Sequence, residues 1–74
     1  MKLILYHFNE CPYCEKVRQA IRRLHLEGIE FRNIHENPTY KEELIAMNGK
    51  KQVPCLVIDG KPMLESDDIV AFLE

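Results

Sequence analysis

No run of apolar residues in these 74 approaches the ~20 needed to cross a bilayer. The amino terminus, MKLILYHF, has one lysine and a short apolar stretch. It lacks the apolar length and small-residue cleavage site of a secretory leader. Positive charge is not in excess: ten Lys and Arg face twelve Asp and Glu, for a formal net charge of −2. A general nucleic-acid binder normally shows a basic face, so that class is set aside. Cysteine is too sparse, and at three odd in number, for a secreted disulfide scaffold. Repeats, linkers and low-complexity stretches are missing as well. The expectation is one cytoplasmic domain spanning residues 1–74, with no nucleic-acid or membrane partner. The remaining composition, 46% hydrophobic and 30% charged, suits a small globular core.

Periodicity sets the elements. KLILYHF (2–8) is apolar and too short for a good helix, so it reads as a buried strand. Cys14, Val17, Ile21 and Leu24 then recur at steps of three and four, with charged residues between them, which predicts an amphipathic helix. Pro12 suits its first turn and Gly28 its end. IEFRNI (29–34) alternates as a strand does. The stretch 37–49 starts like a helix, at Asn37-Pro38 or at Thr39, and closes at Asn48-Gly49, with Tyr40, Leu44 and Met47 on one face. CLVI (55–58) and the stretch 61–64 are strands joined by an Asp59-Gly60 hairpin. Ser66 is expected to cap a last helix, with Asp67 and Asp68 in its first turn and Ile69, Val70 and Leu73 facing inward. Tyr6, Phe31 and Phe72 are assigned to the core or its edge. The order β-α-β-α-β-β-α predicts an α/β fold, a four-stranded mixed sheet flanked by helices.

Chemistry concentrates at HFNECPYCEKV (7–17). A close cysteine pair can hold zinc, form a structural disulfide or do redox work. Zinc needs two further ligands, and Cys55, His7, His25 and His35 form no second pair at ligand spacing. A structural disulfide across so short a loop would constrain the unfolded chain little. Redox chemistry is the reading these residues favour. Cys11 falls at the strand-to-helix junction, where free amide hydrogens and the helix dipole stabilise a thiolate. Cys14 lies one turn inward on the same side. Cys11 is therefore expected to attack and Cys14 to resolve, with Lys16 and Arg18 adding positive charge nearby. Cys55 reads as a small buried residue, and His7, His25 and His35 as surface positions. Pro54, just before a strand, can adopt a cis bond; the backbone of Val53 is then free to pair with an extended peptide.

CPYC at a strand-to-helix turn, a Val-Pro before the third strand, then a hairpin and a helix cap resemble a dithiol glutaredoxin of the thioredoxin fold. VPCLVIDGKPMLES is also similar to the N-terminal domain of glutathione transferases. The resemblance implies a glutathione-dependent thiol–disulfide oxidoreductase, with no tightly bound cofactor and no metal. Glutathione is its implied co-substrate, and disulfide-containing or glutathionylated proteins are its partners; the implied state is a monomer. Residue by residue, it implies Cys11 as nucleophile, Cys14 as resolving thiol and Tyr13 beside bound glutathione. Val53, ahead of Pro54, would pair with the glutathione cysteine. Glu65, Ser66 and Asp67 would hold the γ-glutamyl end, and Gln52, with Lys50 or Lys51, the glycine end. Phe8 stands where a glutathione-binding lysine is common, and Leu64-Glu65 replaces the usual Gly-Gly. The last helix stops early, as in a minimal redoxin or an excised domain. Two other functions fit the same residues: a small redoxin served by thioredoxin reductase, of the kind that feeds ribonucleotide reductase, and a non-catalytic glutathione-binding domain.

Overall fold

Alternation along the first strand decides how the layers stack. The computed structural model describes every residue from Met1 to Glu74. Its elements run β1 (Leu3–His7), α1 (Pro12–Arg23), β2 (Ile29–Asn33), α2 (Pro38–Asn48), β3 (Cys55–Ile58), β4 (Lys61–Met63) and α3 (Ser66–Leu73). That is the expected thioredoxin-like order. The sheet order is β2-β1-β3-β4. β2 runs parallel to β1, with Leu3 opposite Ile29 and His7 opposite Asn33. β3 is antiparallel to both β1 and β4.

Successive β1 residues point to opposite faces. Leu5 joins Val17 and Ile21 of α1, Leu56 of β3 and Ile69 of α3 in one cluster. Tyr6 joins Ile34, Leu44 of α2, Cys55 and Val57 in the other. Helices α1 and α3 therefore share one face of the sheet and α2 covers the opposite face. Each fully buried Leu contributes roughly 1.5–3 kcal/mol of transfer free energy.

Local chemistry explains most of the boundaries. Pro12 and Pro38 open their helices where an amide hydrogen would be unpaired. Asn37, not Thr39, caps α2: its side chain accepts from the Thr39 amide at 2.9 Å. Gly49, at φ 76°, closes α2 in the left-handed region. Asp59 and Gly60 both take positive φ and turn β3 into β4.

Four expectations need correction. α1 ends at Arg23 rather than near Gly28, and His25 takes the left-handed conformation just beyond it. Glu65 occupies the cap position of α3 without a side-chain bond, so Ser66 is its first helical residue rather than its cap. Phe31 is 47% exposed, because β2 is an edge strand with a neighbour on one side only. Met47 and Phe72 are also exposed; they fall at the margins of their helices' apolar stripes.

Candidate functional site

The turn from β1 into α1 holds the cysteine pair. Cys11 is the cap residue of α1, in extended backbone at φ −79° and ψ 115°. Its sulfur takes the role usually given to a Ser or Asp oxygen: Sγ accepts from the Cys14 amide at 3.3 Å. The Cys11 amide in turn donates to the Phe8 carbonyl at 3.3 Å. No disulfide joins the two sulfurs. Cys11 retains 6% of its surface and Cys14 none. Burial pushes the Cys14 thiol up to about 12, and its neighbour Cys11 adds to that; the Phe8 backbone and the Arg18 charge pull weakly the other way. Cys14 is thus a sealed, protonated thiol at neutral pH, and Cys11 is the sulfur with an outlet.

Beside the pair lies a groove of about 390 Å³, lined by Tyr13, Gln52, Val53, Pro54, Leu64, Glu65, Ser66 and Asp67. Seven of the residues expected beside glutathione line it, and Leu64 joins them. Tyr13 is 64% exposed, lies between the two cysteines in sequence and lines the groove. The Val53–Pro54 bond is cis. Neither the amide nor the carbonyl of Val53 takes part in the backbone hydrogen bonds outside helices and strands. At the far end, α3 presents the unpaired amides of its first turn, which attract a carboxylate. Lys50 and Lys51 do not line the groove.

Sequence reasoning missed three features. Lys16 reaches across from α1 and pairs with Asp67, 51 residues away, so the carboxylate expected to meet an ammonium already has a cation beside it. Phe8 packs against the Tyr6 cluster and stacks on His35, with ring centroids 4.3 Å apart. His7 is a correction: it is buried rather than on the surface, packed edge-on against Phe31. Burial lowers its pKa first and the Arg18 charge second. Cys55 is fully buried as expected, and burial raises its thiol. No local signal marks Lys16 or His7, because their partners come from other elements.

Known proteins share this arrangement. The family model of the glutathione S-transferase N-terminal domain matches residues 5–74. Prostaglandin E synthase 2 of Danio rerio is 32% identical over 72 residues, covering 95% of this chain and 18% of that protein. Glutaredoxin 3 of Escherichia coli strain K12 is 29% identical over 69 residues, covering 90% of this chain and 80% of that one. A diazinon-metabolizing glutathione S-transferase of the silkworm, Bombyx mori, superposes with a TM-score of 0.79 at 28% identity, over 99% of this chain and 37% of the transferase. The chain thus spans well under half the length of the synthase and the transferase, and most of the length of the glutaredoxin. No helix is long and apolar enough to cross a membrane.

Proposed function

The chain belongs to the glutathione S-transferase N-terminal domain family, and from that premise we propose that it is a glutathione-dependent thiol–disulfide oxidoreductase. A glutathione-related role follows from its relatives, which are named as glutaredoxins and glutathione S-transferases. One observation supports the finer reading: Cys14 is fully buried, Cys11 keeps 6% of its surface, and Tyr13, between them in sequence, lines the groove. Residues 1–74 then act as a single glutaredoxin-like domain, monomeric, with disulfide-containing or glutathionylated proteins as partners.

In this mechanism the Cys11 thiolate attacks the glutathione sulfur of a protein mixed disulfide. A Cys11–glutathione disulfide forms and the protein thiolate leaves, taking a proton from solvent. A second glutathione thiolate then attacks the bound glutathione sulfur, releasing glutathione disulfide and restoring the Cys11 thiolate. On a protein disulfide, Cys11 first forms a mixed disulfide with the protein. Cys14, once it loses its proton, attacks Cys11 and frees the second protein thiol. Two glutathiones later reduce the Cys11–Cys14 disulfide. Tyr13, Gln52, Val53 and Pro54 would flank the glutathione cysteine and glycine. Glu65, Ser66 and Asp67 would hold the γ-glutamyl end.

The test is reduction of a small glutathione mixed disulfide with glutathione as donor. Cys11→Ser is expected to abolish turnover, and Cys14→Ser to keep part of it while losing protein-disulfide reduction. A wild-type chain that gives no turnover with ample glutathione would sink the proposal. Phe8 favours a second reading, a redoxin served by thioredoxin reductase, since it places no cation beside the groove. Efficient reduction by that enzyme, with no shift of Val53, Ser66 or Asp67 resonances on adding glutathione, would select it.

A further inference from the structure

Arg18 lies two turns into α1, away from the groove, yet its guanidinium binds the loop that carries Cys11. Its side chain is only 14% exposed. Nη1 donates to the Phe8 carbonyl at 3.2 Å and Nη2 to the Asn9 carbonyl at 3.1 Å. The same Phe8 carbonyl receives the Cys11 amide. Guanidinium and nucleophile therefore share one acceptor. Two further contacts hold the guanidinium itself: Nε donates to Glu15 Oε1 at 3.0 Å, and Nη1 lies 3.0 Å from His7 Nδ1. An arginine has no lone pair to offer, so His7 must accept and carries its proton on Nε2. Arg22 steadies Glu15 from the next turn, and Glu36 is the remaining charge that bears on His7.

We propose that Arg18 is the positioning residue of the cysteine pair, clamping the Phe8–Cys11 turn through two carbonyls and placing its positive charge against that turn. The assignment rests on the reading of Cys11 and Cys14 as the working pair. A guanidinium suits the task because its planar fork spans separate acceptors, whereas an ammonium is a compact point charge. Arg18 does not line the groove and hydrogen-bonds to none of its residues, so it acts through the turn and not on a bound ligand.

Alkylation of the full chain by iodoacetamide tests this, with the modified cysteine located by peptide mass spectrometry. Rates at Cys11 are compared at pH 7 and at pH 10, where an ordinary thiol is ionised. Arg18→Gln is expected to slow the pH 7 reaction about tenfold and to leave the pH 10 rate unchanged. Arg18→Lys is expected to fall between, about threefold slower at pH 7. An Arg18→Gln rate equal to or above wild type at pH 7 would overturn the proposal. So would an equal loss at both pH values, which is the mark of a merely structural residue. Should Arg18→Gln fail to fold by circular dichroism, Arg18→Lys decides by the same comparison. Glutathione takes no part in this assay, so a wild-type chain inert toward glutathione sinks the proposed function and leaves this result standing.

Discussion

Asp67 meets two claims at once. As the second residue of α3 it lines the groove, and Lys16 of α1 already holds it. Both side chains are more than half exposed, so the pair contributes little stability, in the ~0–1 kcal/mol range of surface ion pairs. Its consequence lies in competition. If the groove binds glutathione, the ligand's ammonium must displace Lys16 or share Asp67 with it. Lys16→Ala is expected to leave the melting temperature nearly unchanged and to tighten glutathione binding, by roughly two- to threefold for a released surface carboxylate. Asp67→Asn is expected to weaken binding. Titration calorimetry on both variants checks the pair, and weaker binding by Lys16→Ala would show that Lys16 helps the ligand rather than competing with it. Neither residue's pairing is legible locally. Lys16 is one of several charges on the outer side of an amphipathic helix, and nothing in its neighbours names α3 as its partner. The Cys11–Cys14 asymmetry, by contrast, is legible, since cap position and helical spacing are local facts.

The helices differ in how they are held. α1 buries Cys14, Val17, Ala20 and Ile21, whereas Leu44 is the only fully buried residue of α2. α2 thus leans on its ends and on one anchor. Its start is fixed by Asn37, and its end by Gly49 in a left-handed conformation. Asn37→Ala is expected to cost about 1 kcal/mol, the usual worth of a side-chain cap. Gly49→Ala is expected to cost a similar ~1 kcal/mol from the strained dihedral alone, since no atom lies within 4 Å of an added Cβ. Leu44→Ala is expected to cost about 2–5 kcal/mol, a large share of the stability of so short a chain. Urea unfolding ranks the three; an Asn37→Ala loss as large as that of Leu44→Ala would mean that capping, and not burial, docks α2. The sequence pattern located this helix correctly but overstated its apolar face. Tyr40 is half-buried and Met47 exposed, because α2 covers its side of the sheet alone and contacts it chiefly through Leu44.

Across the whole molecule, buried titratable groups bound the pH range of stability. Burial raises the Cys14 thiol from 9.0 up to about 12. Above pH 9.0 the unfolded chain releases that proton and the folded chain keeps it, so this stability is complete below 9.0 and is lost as pH climbs toward about 12. Cys55 acts in the same direction. His7 acts at the other end: its folded pKa lies below the ordinary 6.5. The unfolded chain takes up the His7 proton first, so its contribution is complete above pH 6.5 and is lost as pH falls through the lower folded value. Melting temperature against pH is expected to show a plateau between, with Cys14→Ser flattening the alkaline side and His7→Gln the acid side. An unchanged alkaline slope in Cys14→Ser would assign that limb to other groups. The amino-acid sequence by itself determined the elements, their order and the turn that places Cys11 ahead of Cys14. Those follow from periods of two and 3.6, from proline and glycine at chain turns, and from a CPYC motif whose parts are neighbours in sequence; the groove residues were implied only by the family resemblance. Only the tertiary structure decided that His7 is buried, that Lys16 holds Asp67, that Arg18 grips the Cys11 turn, and that Phe31 and Phe72 stay exposed. Each depends on which face of one element meets which face of another. That is settled by packing the whole sheet and its helices, and no local stretch of chain records it.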